Sequence, residues 1–119
     1  MGQWLAQAVR RRALELGFSL VDQTKVVTAA SELARNTVQH GGGGVLTIDV
    51  VHEGSRAGLS LTFSDEGPGI PDIDRAMQDG YTTAGGLGLG LSGARRLSQG
   101  FTITSAPGRG TTVTITRWK

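Results

Sequence analysis

The chain has 119 residues, of which 38% are hydrophobic and 18% charged, a composition typical of a soluble globular domain and unlike that of a disordered chain. It has no cysteine, so disulfides, thiolate zinc sites and cysteine nucleophiles are excluded. The net charge of +2 and the sequence pI of about 9.7 indicate nucleic-acid binding only weakly. The one dense basic run, residues 10–12, is more typical of a solvated helix face.

No apolar run approaches the roughly 20 residues that span a bilayer. Arg10 interrupts the first apolar stretch, so no signal-peptide core is predicted. We therefore expect a cytoplasmic protein that forms one domain over residues 1–119 and has neither membrane nor nucleic-acid partners. Its 19 glycines form clusters that punctuate this domain.

Two helices are predicted in the first third of the chain. Apolar residues recur at three- and four-residue spacing over 3–16, and this helix ends before Gly17. The same spacing predicts a second helix over about 22–39, with Asp22 as its N-cap and the glycines at 41–44 as its stop.

Alternating patterns predict four strands, over residues 45–51, 58–65, 101–106 and 111–118. A short helix near 72–79, a loop over 80–90 and a helix over 91–98 separate the two pairs of strands. One face of each strand is apolar and the other is mostly Thr and Ser, so helices should cover only one face of the sheet. The predicted fold class is α/β (α+β): a two-layer α/β sandwich with a mixed or antiparallel sheet.

Asp65 and Thr111 continue the apolar parity of their strands, so both polar side chains should point to the covered side of the sheet. A carboxylate there needs a hydrogen-bond donor. The exocyclic amine of adenine is one such donor, and Gly67 and Gly69 would let a base approach the backbone. The alternative is that Asp65 caps the following turn through its own backbone.

The segment from Gly85 to Leu91 is rich in glycine and leads into a predicted helix. Bare backbone N–H groups and a helix N-terminus together favour an anion such as phosphate. Glycine-rich turns also occur for conformational reasons alone, so this segment is weak evidence when taken by itself.

Glu32 and Asn36 are four residues apart and so lie on one face of the second helix. A carboxylate that accepts a proton and an amide oxygen that binds Mg²⁺ would supply two needs of phosphoryl transfer. The alternative is an ordinary exposed polar pair. His40, in the last turn, is interpreted as a cap that compensates the helix dipole, and Trp4 and Trp118 as packing residues.

These segments, taken together and in this order, resemble the boxes of the GHKL ATPase/kinase superfamily. The four boxes are Glu32–Asn36, Asp65–Gly69, Gly85–Gly90 and Gly110–Thr111. Segments 31–36 and 79–86 further resemble the small bacterial serine/threonine kinases of partner-switching pathways, of the stressosome switch type. The resemblance implies the ATP-binding Bergerat fold, with a mobile lid over the nucleotide.

The resemblance also implies a role for each matching residue. Glu32 would activate the acceptor hydroxyl, Asn36 would ligate magnesium, and Asp65 would bind the adenine amine with the help of Thr111. The glycines would shape the adenine pocket and wrap the phosphates: Gly67 and Gly69 in the first role, and Gly85, Gly86, Gly88 and Gly90 in the second.

The implied function is that of an ATP- and Mg-dependent serine/threonine kinase. Its substrate would be a STAS-domain antagonist protein, and a PP2C-type phosphatase or a sigma factor would be its alternate partner. A nucleotide-gated binding module, in which catalysis is secondary, is the alternative. The chain departs from the family at its start, because Met1 falls almost at the first helix where relatives have a strand. The sheet edge that this strand would cover is therefore in question.

Overall fold

The computed structural model describes residues 2–70, 72–77 and 89–119, in which helices pack on one face of a four-stranded antiparallel sheet. The strand order is β1-β2-β4-β3, so β2 and β4 are central. In chain order the elements are α1 (Gly2–Glu15), α2 (Leu20–Gly41), β1 (Gly44–Glu53), β2 (Arg56–Asp65), α3 (Ile73–Ala76), α4 (Leu89–Arg96), β3 (Gly100–Ser105) and β4 (Thr111–Trp118). The predicted two-layer sandwich is confirmed, with the antiparallel form of the sheet.

The start of α2 differs from the prediction. Its N-cap is Ser19, whose hydroxyl accepts a hydrogen bond from the backbone N–H of Asp22 at 3.1 Å. The prediction that Asp22 is the N-cap was wrong. Asp22 lies in the first turn of α2, where the positive end of the helix dipole stabilises its carboxylate. At the other end Gly42 takes the left-handed conformation, with φ of 75°, and closes the helix.

The register of the sheet sorts its side chains as the alternation predicts. Leu61 of β2 lies between Ile48 of β1 and Ile115 of β4, and all three face the helices. On the opposite face, the Thr62 and Thr114 hydroxyls lie 3.1 Å apart. The core is formed by this apolar face together with the inner faces of α1, α2 and α4, and its largest fully buried side chains are Leu5, Val9, Val26, Leu33, Leu59, Leu61, Leu91 and Ile115.

Several boundaries move by a few residues. The strands β1 and β2 extend further towards their shared turn than predicted, and α4 begins two residues earlier, at Leu89. The short helix α3 ends at Ala76, and the rest of the predicted 72–79 helix, with the loop over 80–88, lies outside the described residues. Within the described ranges, no helix combines the length and apolar character needed to cross a membrane.

Candidate functional site

A cavity of about 110 Å³ lies between the last turns of α2, the start of α4, the C-terminal end of β2 and the N-terminal end of β4. A single ordered water needs only about 15 Å³ on this measure, so the cavity has room for a larger group. Its wall combines apolar side chains, polar side chains and exposed backbone. The apolar residues are Leu33, Phe63, Ile70, Leu91 and Val113; the polar ones are Asn36, Thr37, His40, Asp65 and Thr111; Gly41, Pro68 and Gly69 complete it.

Asp65 lies at the end of β2 and turns its carboxylate to this cavity, as the parity of the strand predicts. Its Oδ1 accepts hydrogen bonds from the backbone N–H of Gly67 at 2.9 Å and of Thr111 at 3.2 Å. Oδ2 receives no donor from the described residues. The turn-capping interpretation is therefore correct for one oxygen, and the second oxygen stays available to a donor in the cavity.

Thr111 is the cross-strand partner of Asp65, and Ser105 orients its hydroxyl. The Ser105 hydroxyl donates its one hydrogen to the carbonyl of Gly110, at 3.0 Å, and accepts from the N–H of Ile70, at 2.7 Å. The two hydroxyls of Ser105 and Thr111 lie 2.9 Å apart. Because Ser105 has no hydrogen left, Thr111 Oγ1 must donate and Ser105 must accept in this hydrogen bond. The lone pairs of Thr111 Oγ1 are left to accept from a ligand, and nothing in the sequence motif pointed to Ser105.

Gly67 and Gly69 have different surroundings. Gly69 lines the cavity with φ of 81°, and a Cβ there would collide with the carbonyl of Ala106. Gly67 is not part of the cavity wall, and a Cβ at this position would lie 2.6 Å from the Cα of Gly41. Contacts within the chain thus already require glycine at both positions, whether or not a base approaches them.

The last turns of α2 present two unpaired polar groups at the cavity. Asn36 Nδ2 and His40 Nε2 are both buried and have no hydrogen-bond partner among the described residues. Buried polar groups are normally paired, so each of these atoms is a candidate for contact with a ligand. The interpretation of His40 as a dipole-compensating cap missed this contact with the cavity. The signal was its spacing, because His40 follows Asn36 by one helical turn.

Glu32 lies one turn before Asn36, outside the cavity wall. Its Oε2 accepts a hydrogen bond from Arg35 Nη1 at 3.1 Å, and the Glu32 side chain is 34% exposed. Exposed ion pairs of this kind contribute at most about 1 kcal/mol, so the carboxylate can readily exchange this partner for another. The structure therefore brings Asn36, Asp65 and Thr111 to one cavity, with Glu32 at a neighbouring position on α2.

Of the predicted phosphate-binding glycines, Gly85, Gly86 and Gly88 lie outside the described residues. Gly90 falls in the first turn of α4, and the next residue, Leu91, lines the cavity. The N-terminus of this helix is thus placed at the cavity. Among the described residues no group of three His, Asp or Glu side chains could hold a metal ion. A magnesium ion would depend on one amide oxygen, from Asn36, together with ligand oxygens and water.

Two curated proteins and one solved structure illustrate what this chain is similar to. The serine/threonine-protein kinase RsbT of Bacillus subtilis (strain 168) is 46% identical over 94% of this chain and 84% of its own length. An anti-sigma F factor of Thermoanaerobacter sp. (strain X514) is 30% identical over 89% of this chain and 77% of its own length. Among solved structures, the mycobacterial sensor histidine kinase MprB matches in fold, with a TM-score of 0.60 and 20% identity over 81% of this chain and 71% of that chain.

The family model for histidine kinase-, DNA gyrase B- and HSP90-like ATPases matches residues 21–119. This range contains all four boxes on which the resemblance to the GHKL superfamily rests. The identity with a serine/threonine-protein kinase over most of both chains also confirms the kinase assignment. The chain belongs to the family of histidine kinase-, DNA gyrase B- and HSP90-like ATPases.

Proposed function

We propose that the protein is an ATP- and Mg-dependent serine/threonine kinase that works in the cytoplasm in a bacterial partner-switching pathway. Its substrate is a serine or threonine of a STAS-domain antagonist protein, and it then binds and activates a PP2C-type phosphatase. The nucleotide part rests on the Asp65 carboxylate, which lines the cavity and whose Oδ2 accepts no hydrogen bond from the described residues. The 46% identity with a serine/threonine-protein kinase supports the rest.

The cavity selects adenine through its acceptors. Asp65 Oδ2 and the lone pairs of Thr111 Oγ1 both accept hydrogen bonds, and the exocyclic amine of adenine donates them, whereas guanine has an acceptor at that position. Apolar side chains such as Phe63 and Ile70 cover the faces of a bound base. Gly41 at the wall leaves the Asp65 carboxylate open to the base.

We assign Asn36 and Glu32 to the phosphate end of the bound nucleotide. Asn36 lines the cavity, and we assign its amide oxygen to magnesium, which neutralises phosphate charge when bound. Glu32 accepts the proton of the acceptor hydroxyl while that oxygen forms its bond to the γ-phosphorus and ADP leaves. We assign Gly85, Gly86, Gly88 and Gly90 to the phosphates, in keeping with their place before α4 and within it.

The direct test is transfer of label from ATP to a cognate STAS-domain protein. The wild-type protein should transfer label only when magnesium is present. Glu32→Ala should bind ATP with unchanged affinity and lose transfer, and Glu53→Ala, which removes an exposed carboxylate at the end of β1, should transfer label normally. Absence of transfer at every magnesium concentration would refute the kinase proposal, and normal turnover by Glu32→Ala would refute the role of that carboxylate.

The second candidate is a nucleotide-gated module that holds and releases a partner such as a sigma factor, with catalysis secondary. The similarity to anti-sigma F factors favours it. The two candidates differ in their need for Glu32, since a binding module does not require a proton acceptor. If Glu32→Ala held and released its partner in cells with wild-type effect, the binding module would be the better description.

A further inference from the structure

The exposed side of α2 is the surface from which another protein can reach Glu32. The opposite side of the helix is buried through residues such as Ala29, Leu33 and Thr37. Glu32 lies at the border between the two sides, and its side chain is 34% exposed. The hydroxyl that gives its proton to Glu32 belongs to a second protein, so that protein must also cover the exposed neighbours of Glu32.

Arg35 is one of these neighbours. It follows Glu32 by three residues, a spacing that leaves about 5–6 Å between Cβ atoms on a helix. Its side chain is 57% exposed, and its Nη1 donates to Glu32 Oε2 at 3.1 Å. This is the only hydrogen bond of Arg35 within the described residues, although a guanidinium carries five N–H donors. Four donors of a fixed positive charge are therefore left for a partner at the place where the substrate must lie.

Exposed apolar side chains give no comparable signal. Val38, in the next turn of α2, is 49% exposed. Trp4 of α1 is 73% exposed, which contradicts its interpretation as a packing residue. Single exposed apolar residues are normal on the surface of a folded protein. The charge of Arg35, and not an apolar contact, therefore distinguishes the surface beside Glu32.

Proton transfer to Glu32 removes the charge with which Arg35 is paired. Before the reaction, the Glu32 carboxylate and the Arg35 guanidinium form an ion pair. The acceptor hydroxyl gives its proton to Glu32 while its oxygen bonds to the γ-phosphorus and ADP leaves, so Glu32 becomes a neutral carboxylic acid. Arg35 stays charged, because a guanidinium keeps its proton in proteins. A second carboxylate, brought by the substrate, would keep Arg35 paired before and after the transfer.

We propose that Arg35 binds an aspartate or glutamate of the protein substrate, and so selects substrates that carry an acidic side chain beside the acceptor serine or threonine. This proposal rests on the proposed function, in which Glu32 accepts the proton of that hydroxyl. A guanidinium matches a carboxylate through two parallel hydrogen bonds, and its exposed charge attracts the acidic group during approach. Because Arg35 is not part of the cavity wall, it contributes to binding of the protein substrate and not of ATP.

Two other roles for Arg35 lead to different kinetics. If its ion pair only orients Glu32, loss of Arg35 lowers kcat and leaves the KM for the protein substrate unchanged. If Arg35 contacts the phosphates of the nucleotide, its loss weakens ATP binding. A contact with a carboxylate of the substrate raises the KM for the protein substrate and leaves the affinity for ATP unchanged.

The test is steady-state kinetics with the STAS-domain protein that the wild-type kinase labels. Arg35→Ala should raise the KM for this protein at least tenfold, with unchanged ATP affinity in calorimetry. Arg35→Lys, which keeps the charge but loses the paired donors, should give a smaller rise. Lys25→Ala is the matched control and should leave both values unchanged, because Lys25 precedes Arg35 by ten residues, or about 15 Å along the helix. A rise of less than tenfold in Arg35→Ala, or a parallel loss of ATP affinity, would overturn the proposal.

An exchange of charges identifies the acidic partner. Each Asp and Glu of the STAS-domain protein is replaced by Lys in turn, and one replacement should raise the KM of the wild-type kinase at least tenfold. Arg35→Glu should phosphorylate that substrate variant with a lower KM than the unaltered substrate. If Arg35→Glu rescues no replacement, the partner of Arg35 is not a carboxylate and the proposal is refuted. Failure of the proposed function looks different, since the wild-type protein would then label no protein substrate.

Discussion

Gly41, the last residue of α2, lies directly against the carboxylate of Asp65 at the end of β2. A Cβ at position 41 would come within 2.6 Å of Asp65 Oδ2 and nearer still to the carbons of that side chain. Both residues line the cavity. Because Gly41 has no side chain, the Asp65 carboxylate can occupy the space beside the end of α2.

Gly41→Ala should disable nucleotide binding. The added methyl group must displace the Asp65 carboxylate, which two backbone N–H groups hold in place. Crowding of this kind costs about 1–3 kcal/mol of stability. We expect ATP affinity, measured by calorimetry below the melting temperature, to fall by more than tenfold. Gly93→Ala, in α4 with no atom of the described residues within 4 Å of its added Cβ, is the matched control and should bind ATP normally.

Asp65→Asn should separate the two roles of this side chain. The amide oxygen can still accept from the backbone of Gly67 and Thr111, so the melting temperature should change little. The amide nitrogen would then face the adenine amine, donor against donor. Loss of a hydrogen bond to a charged group costs about 1.5–3 kcal/mol, or roughly tenfold to a hundredfold in affinity.

The preference between ATP and GTP gives a second measurement on Asp65→Asn. The wild-type protein should prefer ATP, and the variant should lose most of that preference because its amide can donate to the carbonyl of guanine. Asp49→Asn, which removes an exposed carboxylate on the open face of the sheet, should leave both affinities unchanged. An unaltered preference in Asp65→Asn would show that another group recognises the base.

Asn36→Leu should stabilise the protein and impair its function. The Asn36 Nδ2 atom is buried and has no hydrogen-bond partner in the part of the chain that the structure describes, and such a group costs about 1–3 kcal/mol. A leucine of similar size removes that cost, so the free energy of unfolding in urea should rise by about 1 kcal/mol. ATP binding should lose its dependence on magnesium, which is measured by comparing calorimetric titrations with magnesium and with EDTA. A clear loss of stability would show that the amide is paired in solution.

The sequence is sufficient to predict where Asp65 and Thr111 lie, because their placement depends on local parity. Asp65 and Thr111 continue the alternation of their strands, and this alone places both on the covered side of the sheet. Four-residue spacing also places Asn36 and His40 on one face of α2, and both line the cavity, although His40 was interpreted only as a cap. Here local geometry and tertiary position coincide.

Contacts between distant segments are harder to predict. Ser105 orients the Thr111 hydroxyl through a turn whose course no motif describes. Ser19 caps α2, and Asp22, in the first turn, pairs instead with Arg117. That ion pair joins residues 95 positions apart. Pairing of this kind depends on the folded backbone, which periodicity does not specify.

Arg117, in β4, forms hydrogen bonds with α2 and with the residue that follows α4. Its Nη2 donates to Asp22 Oδ1 at 2.8 Å, and its Nη1 donates to the carbonyl of Leu97, just after α4, at 3.2 Å. The hydrogen bond from Arg117 lowers the pKa of Asp22 below its usual value of 3.8, and the Ser19 hydroxyl acts in the same direction, whereas desolvation opposes both. The folded state therefore favours the charged form of Asp22.

The stability of the protein should consequently depend on Asp22 in acid. A carboxyl group with a lowered pKa in the folded state stabilises it fully above the unfolded-state pKa, and this contribution is lost as the pH falls through the folded-state pKa. The unfolding free energy of the wild-type protein should thus decrease below about pH 5 more steeply than that of Asp22→Asn. Urea unfolding at several pH values measures this difference, with Asp49→Asn, which lacks an ion pair among the described residues, as the control. Parallel pH profiles for the wild-type and Asp22→Asn proteins would show that Arg117 leaves the titration of Asp22 unchanged on folding.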